Sequence, residues 1–309
     1  MDDVLVVGET LVDIVQRGGV TTGEHPGGSP ANVALGLGRL GRQVSLLSRL
    51  GDDERGERVR THLAASGVRL AAGTLAAGPT STATARLDER GVASYEFELD
   101  WQLPDAVELP PARALHTGSI AAFLAPGGEA VLELVHRARG SLTVSYDPNA
   151  RPVLMGDAGS ARERVERFVA AADVVKVSDE DLAWLAPGTD PAEVAQDWLG
   201  LGPALVVVTR GGEGATGICA AGRVDVSAPQ IAVVDTVGAG DAFMAGLLDA
   251  LAGADLLGGD RPGALRGIPR DALAAAVRRA TRVAAITCTR PGADPPTRAE
   301  LAAAYPDED

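Results

Sequence analysis

Cysteine, lysine and aromatic residues are all scarce in this chain, and each scarcity closes a line of explanation. The two cysteines, Cys219 and Cys288, lie far apart and form no CxxC pair. That leaves no disulfide framework and no structural zinc site, and it fits a reducing compartment. Four histidines, His25, His62, His116 and His136, show no paired spacing for a metal. One lysine, Lys176, stands against 27 arginines, an imbalance that reads as compositional bias. It also excludes a Walker A loop, which needs Gly-Lys-Ser/Thr where this lysine sits between Val175 and Val177. No GxSxG elbow is present, which removes serine-hydrolase chemistry. No apolar run is long enough to span a membrane, and Met1-Asp2-Asp3 leads straight into a strand-like run without a signal peptide, so a cytoplasmic protein is expected. Positive charge is short overall. A net charge of −14 argues against a nucleic-acid or anionic-membrane partner. Any phosphate site must therefore be local, built from main-chain amides and a few arginines.

What is present is a strand–helix rhythm. The 309 residues, 46% of them hydrophobic, suffice for one large α/β domain with a small appendage. Val4–Val7, Val44–Leu50, Ala114–Thr117, Leu142–Tyr146, Val174–Val177 and Ala204–Val208 are short apolar runs of the kind buried in a parallel sheet. Helical patterns fall between them, near 28–40, 53–66, 127–139, 160–171, 179–185 and 191–200. The alternation predicts a doubly wound, mostly parallel sheet with helices on both faces. A hairpin is expected near 214–227, and Asp271 is expected to cap a helix near the end. Residues 80–103 break the rhythm. Two β-type runs, Thr80–Leu87 and Val92–Leu99, flank Asp88-Glu89-Arg90-Gly91, and Tyr95, Phe97 and Trp101 gather here although aromatics are 3% of the chain. This predicts an inserted hairpin, forming with residues of about 11–26 a small β-sheet lid on a single domain spanning 1–309. The aromatics either shield a ligand or form that sheet's own core, which fits Phe97 best.

Two GxGxxG matches are decoys. Gly36–Gly41 lies inside a helical pattern, and Gly212–Gly217 is followed by strand and turn, so neither has the strand–loop–helix context of a dinucleotide site. The informative loop is Asp235-Thr236-Val237-Gly238-Ala239-Gly240-Asp241, which opens an amphipathic helix. First-turn amides lack intrahelical acceptors and carry a positive dipole, and bare glycines let an anion approach them. Asp241 puts a carboxylate at the same place. Beyond a simple cap, such an acid either holds a metal or takes a proton from a nucleophile attacking the anion, and the latter describes phosphoryl transfer to a hydroxyl. Other candidates lie where open α/β sheets bind ligands: Asp147-Pro148-Asn149-Ala150-Arg151, Lys176–Asp181 and Thr209–Gly214 each follow a strand. The Lys176–Asp181 run either holds a hydrated magnesium near phosphates or caps a helix.

Taken in order, these motifs resemble the ribokinase (pfkB) carbohydrate kinase family over nearly the whole chain. Gly27-Gly28-Ser29-Pro30-Ala31-Asn32 is similar to its first signature and Asp235–Phe243 to its second. Gly8–Asp13, His116–Ser119, Asp147–Arg151 and Arg290-Pro291-Gly292-Ala293 resemble the fructokinase-like branch. The resemblance implies an αβα sandwich with a small β lid, ATP and Mg²⁺ as cofactors, and Asp241 as the base, with the amides of Gly238, Ala239, Gly240 and Asp241 holding the transferred phosphoryl. It places Asp13, Gly28 and Asn32 on sugar hydroxyls and Arg151 near the sugar or the transferred phosphate; Tyr95, from the lid's aromatic cluster, is a further candidate on the substrate side. It places Lys176, Ser178, Thr209, Gly211 and Gly214 on the nucleotide side, and in some relatives a monovalent cation beside Asp235. Many relatives carry Asn-x-x-Glu for magnesium; here Ser178-Asp179-Glu180-Asp181 stands there, which leaves Glu180 and Asp181 as rival metal residues.

The expected activity is transfer of phosphate from ATP to a primary hydroxyl of a free sugar, fructose first. The acids Asp88, Glu89, Glu96, Glu98 and Asp100 outnumber Arg86 and Arg90 in the lid, an argument against phosphorylated sugars. 2-Keto-3-deoxygluconate is the nearest rival substrate. A sugar or nucleotide sensor on the same fold and an NAD-dependent oxidoreductase are the alternatives from other classes. An open-edged lid also predicts a homodimer through it.

Overall fold

A computed structural model describes residues 2–87, 93–104, 107–259 and 262–306. Along the chain its strands are β1 (Asp2–Val7), β2 (Leu11–Arg17), β3 (Val20–Gly27), β4 (Val44–Leu47), β5 (Leu50–Gly51), β6 (Val68–Leu70), β7 (Leu75–Ala76), β8 (Thr82–Leu87), β9 (Ala93–Glu98), β10 (Ala112–Gly118), β11 (Thr143–Asp147), β12 (Val174–Ser178), β13 (Leu205–Thr209), β14 (Ala215–Cys219) and β15 (Gly222–Val226). Nine of them form one sheet in the order β15-β14-β13-β12-β11-β10-β1-β4-β6. It is parallel from β13 to β6 and antiparallel at β14 and β15.

The central strands are apolar on both faces because both faces are covered. Val4 and Val6 point into one layer, with the helices Ser29–Arg39, Ala239–Gly253 and Arg270–Cys288. Leu5 and Val7 point into the other, with Gly127–Ala138 and Ala158–Ala171. This is the doubly wound α/β class expected from the alternating runs. From β1 the chain moves to β4 on one side, and β10 lies on the other. The order reverses there, so the loops after β1 and β10 part and open a crevice at the carboxyl edge.

A second sheet, order β3-β2-β8-β9, stands over that edge. Its register aligns Asp13 with Ala83 and Phe97, and Val15 with Ala85 and Tyr95. Side chains alternate along strands, so these residues share one face with Leu11. On it Leu11, Ala83 and Phe97 pack with Ile120 and Leu154 from the short helical turns Ser119–Ala122 after β10 and Pro152–Met155 after β11. Phe97 is thus the core of the small sheet, as its position suggests. Trp101 is not part of it: the strand ends at Glu98, and the Trp101 indole is buried in the main body, donating to the Ala121 carbonyl at 3.0 Å. The turn Asp88-Glu89-Arg90-Gly91 and Val92 lie outside the described residues.

Other boundaries move for identifiable reasons. The run 44–50 splits into β4 and β5, because β5 leaves the main sheet to pair with β7. The key helix starts at Ala239, so Asp241 is in its first turn. Asp271 is not a cap: the helix Arg270–Cys288 has Pro269 at that position and Asp271 inside the first turn. The glycines of the first decoy serve packing. A Cβ at Gly36 would stand 2.7 Å from that of Ala245, so bare helix surface lets Ser29–Arg39 lie close along Ala239–Gly253. No helix among the described residues is long and apolar enough to cross a membrane.

Candidate active site

The close pairing of those two helices brings their first turns together, and with them the two glycine-rich motifs. Ser29 donates its hydroxyl to Asp241 Oδ1 at 2.6 Å, and Asn32 donates Nδ2 to Asp241 Oδ2 at 2.9 Å. Asp241 is 6% exposed. Each oxygen keeps a lone pair for another donor, so the carboxylate is oriented without being saturated. Gly28 precedes Ser29 at φ 101°, a conformation suited to glycine, and a side chain there would run into the Glu9 carbonyl.

Asp13 looks into the same space from the small sheet. A Cβ on Gly27 would collide with its carboxylate. Burial raises the Asp13 pKa to about 6, against the pull of Arg151 and His25, with Asp241 adding to the rise. Those influences place Asp13, Arg151 and Asp241 around one crevice. Arg151 follows β11, is exposed, and hydrogen-bonds to the oxygens of Asn149 and Ala150, with no ion pair among the described residues. By contrast Arg290 pairs with Asp294 and Glu300, and Arg210 lies 3.8 Å from Asp225. Tyr95 shares the face of Asp13 but is 61% exposed and stacks on Phe97.

The loop before Asp241 is anchored at both ends. Asp235 accepts from the amides of Val237 at 3.0 Å and Gly292 at 2.8 Å, which hold its pKa below the usual carboxylate range, Gly292 foremost. Gly238, at φ 74°, presses on Ala293, where a Cβ would stand 2.6 Å from the alanine methyl. The Arg290–Ala293 segment is therefore the backing of the loop. Gly238, Ala239 and Gly240 are all partly open to solvent.

Along the carboxyl edge Ser178 aligns with Thr209 across β12 and β13. Gly211 lies in an exposed turn that a Cβ would not obstruct, while Gly214 is buried against Val226 and serves the turn itself. In the acidic run, the capping alternative is realised. Asp181 donates its amide to Ser178 Oγ at 3.0 Å, and its carboxylate accepts from the amides of Ser178 at 3.3 Å and Ala150 at 2.9 Å. Glu180 is exposed, with no ion pair among the described residues. Nor do three or more His, Cys, Asp or Glu side chains converge as a metal site among them.

Some residues of this region carry no individual role in the sequence reading. Ser29 is part of a quoted motif, yet a serine opening a helix reads as a cap; here it makes no cap bond and turns to Asp241 instead. Glu9 lies in the loop between β1 and β2, 5% exposed, accepting from the Ala121 amide at 3.1 Å; burial raises its pKa to about 8. Asp147 forms a buried ion pair at 2.8 Å with Lys176, the lysine expected on the nucleotide side. A lysine inside Val174-Val175-Lys176-Val177 was the available signal for that pair, since a charge in a buried strand needs a partner.

The model of the pfkB family of carbohydrate kinases matches residues 1–300. A fructokinase of Rhizobium leguminosarum bv. trifolii is 37% identical over 260 residues, 80% of this chain and 79% of that protein. An aminoimidazole riboside kinase of Salmonella typhimurium is 32% identical over 263 residues, 82% of each chain. Among solved structures, a double-mutant fructokinase of Vibrio cholerae O395 with fructose, ADP and potassium bound superposes with a TM-score of 0.81 at 28% identity, covering 98% of this chain and 99% of that one.

Proposed function

Because the chain belongs to the pfkB family of carbohydrate kinases, we propose that it transfers the γ-phosphoryl group of ATP to a primary hydroxyl of a free sugar, with fructose as the first candidate. The observation that carries this reading is the junction of Ser29 and Asn32 with Asp241. In this reading an oriented carboxylate works beside Asp13 and the first-turn amides of the Gly238–Asp241 loop, of which that of Ala239 donates to the Thr236 carbonyl at 3.2 Å.

In this reading Asp241 accepts the proton of the attacking hydroxyl as the new O–P bond forms and the bond to the ADP oxygen breaks. The amides of Gly238, Gly240 and Asp241 hold the phosphoryl oxygens, where charge is greatest during transfer, while the expected Ala239 amide instead closes the turn onto the Thr236 carbonyl at 3.2 Å. Asp13, Gly28 and Asn32 hold the other sugar hydroxyls, and Arg151 meets the transferred group. Thr209 and Gly211 line the nucleotide side with Ser178, while Gly214, buried against Val226, shapes the turn that presents Gly211. Magnesium would neutralise phosphate charge; Asp181 is engaged by amides, so Glu180, open to solvent, fits the role of holding it through water. A monovalent cation beside the Asp235 loop completes the proposal.

Fructose is favoured by the Rhizobium relative, but the charge argument against phosphorylated sugars loses weight. Glu96 pairs with Arg86 and Asp100 with Arg49, which leaves Glu98 as the acid without an ion pair among the described acids of 93–100. A panel of fructose, ribose, 2-keto-3-deoxygluconate, adenosine, aminoimidazole riboside and fructose 1-phosphate, read by ADP release in potassium and in choline buffers, tests the assignment. Fructose is expected to give the highest kcat/KM. Tight sugar binding without ADP formation would instead favour a sensor.

A further inference from the structure

Lys176 lies in β12 between β11 and β13, with its side chain 4% exposed. An ammonium taken out of water is costly unless paired. Asp147, at the end of β11 and 1% exposed on its side chain, is the partner at 2.8 Å. A buried pair of this kind is often replaceable by apolar side chains without loss of stability, so packing gives no reason to keep it.

Two further observations say what the ammonium is aimed at. A Cβ built on Gly240 would stand 2.9 Å from Lys176 Nζ. The charge thus comes up directly behind the reaction loop, where a side chain would crowd it. An ammonium also has three N–H donors, and among the described residues Asp147 is its one hydrogen-bond acceptor. Burial works against its charge, but the carboxylates of Asp147, Asp181 and Asp241 outweigh that and keep its pKa above the ordinary lysine value. His116, near Lys176, adds no second positive charge. Burial foremost, and then Lys176, lower its pKa to about 3, so it is neutral.

We infer that Lys176 is a positioning residue for phosphoryl transfer: clamped by Asp147, it sets a fixed positive charge behind Gly240, where an anionic phosphoryl group must come to rest beside the Asp241 carboxylate. Main-chain amides offer dipoles but no net charge, and a base one unit negative repels the group it must work beside. A cation held in place beforehand offsets that repulsion without reorganisation during the reaction. This rests on the phosphoryl-transfer reading of the loop.

The test compares the wild type with Lys176→Met, Lys176→Arg, Gly240→Ala and the Lys176→Met/Gly240→Ala double variant, each checked for folding by its melting curve. Lys176→Met is expected to lower kcat by about 100-fold or more, the scale of losing one strong electrostatic contact, with sugar and ATP KM within about three-fold. Lys176→Arg keeps the charge and should recover about ten-fold of that. Gly240→Ala, which crowds the ammonium without removing it, should lower kcat by more in the wild type than in the Lys176→Met background, a non-additivity that marks contact. Should Lys176→Met not fold, a kcat loss at unchanged KM in Gly240→Ala supports the inference, and a kept kcat overturns it. A Lys176→Met enzyme within about three-fold of wild-type kcat, or an arginine variant no better than methionine, overturns it while leaving the kinase reading intact. A wild type inert on every sugar overturns both.

Discussion

Asn32 and Asp241, separated by 209 positions in the chain, meet through a 2.9 Å hydrogen bond from the amide nitrogen to the carboxylate. With Ser29 on the other oxygen, the proposed base is aimed by the same motif proposed to hold the sugar. Asp241→Asn keeps the shape and removes the proton acceptor. Its kcat is expected to fall by roughly 10²–10⁴, while calorimetry still detects sugar and ATP binding. Near-normal turnover would falsify the assignment of Asp241.

Ser29 acts on Asp241 by orientation alone. Ser29→Ala should lower kcat by roughly ten-fold, about 1.4 kcal/mol, the scale of a hydrogen bond to a charged group, and leave the ATP KM unchanged. An unaltered kcat would make the 2.6 Å contact a packing detail.

Asp13 titrates at about 6 because burial outweighs Arg151 and His25. In the proposed role its carboxylate accepts from sugar hydroxyls above that pH, and below it one acceptor is lost. The kcat/KM for sugar should therefore decline as pH drops through about 6, chiefly through KM. In Asp13→Asn, KM should be raised at every pH and the acid limb of KM should disappear.

Glu9 bears on stability. Burial is the largest cause of its rise from 4.5 to about 8, ahead of the opposing hydrogen bonds. Its folded pKa lies above its unfolded value, so its contribution is complete below about 4.5 and is lost as pH climbs through about 8. Melting temperature should drop by several degrees between about pH 5 and about pH 8 and level off above that, and Glu9→Gln, which cannot ionise, should flatten that decline. Equal slopes for the two proteins would contradict the burial argument.

Asp249, 1% exposed, accepts from Arg42 and Arg279 at 2.6 Å and Arg298 at 3.0 Å. Asp249→Ala leaves three guanidinium groups without their shared partner, and a loss of about 3–5 kcal/mol in urea unfolding is expected. At a temperature where the variant stays folded, kcat should be within a few-fold of wild type, since the cluster lies away from the crevice.

The small sheet has unpaired edges at β3 and β9, with Val20 65% and Tyr95 61% exposed. Edges of this sort invite pairing with a second copy. Light scattering is expected to give a dimer, and Val20→Glu with Tyr95→Glu a monomer; a monomeric wild type would end that proposal.

The layers were legible because β1, β10, β11, β12 and β13 are buried on both faces, which writes a continuous apolar run into each. Pairings that hydrophobicity does not encode were harder to read. β5 and β7 are two residues each, too short for a period, and Trp101 follows the small sheet's aromatics in sequence while packing elsewhere. At the site, Asp241, Asp13 and Asn32 stood out through motif and position. Ser29 did not, because a hydroxyl at a helix start has a local explanation that only coordinates remove. Counting hides what Lys176 does: one lysine among many arginines looks like bias until its strand neighbours, all apolar, are weighed against the cost of burying it.

The contact of Gly36 with Ala245 has a practical corollary. It packs the two signature helices into a single stiff girder, which ties the motif proposed to grip the acceptor to the loop proposed for transfer. The parts of the proposed site that lie outside this girder are the β2–β3 and β8–β9 ribbons. An engineer seeking a new acceptor should exchange those ribbons and leave the girder alone; widening Gly36 by a single methyl would throw off the aim of Asp241 from about one helical turn away.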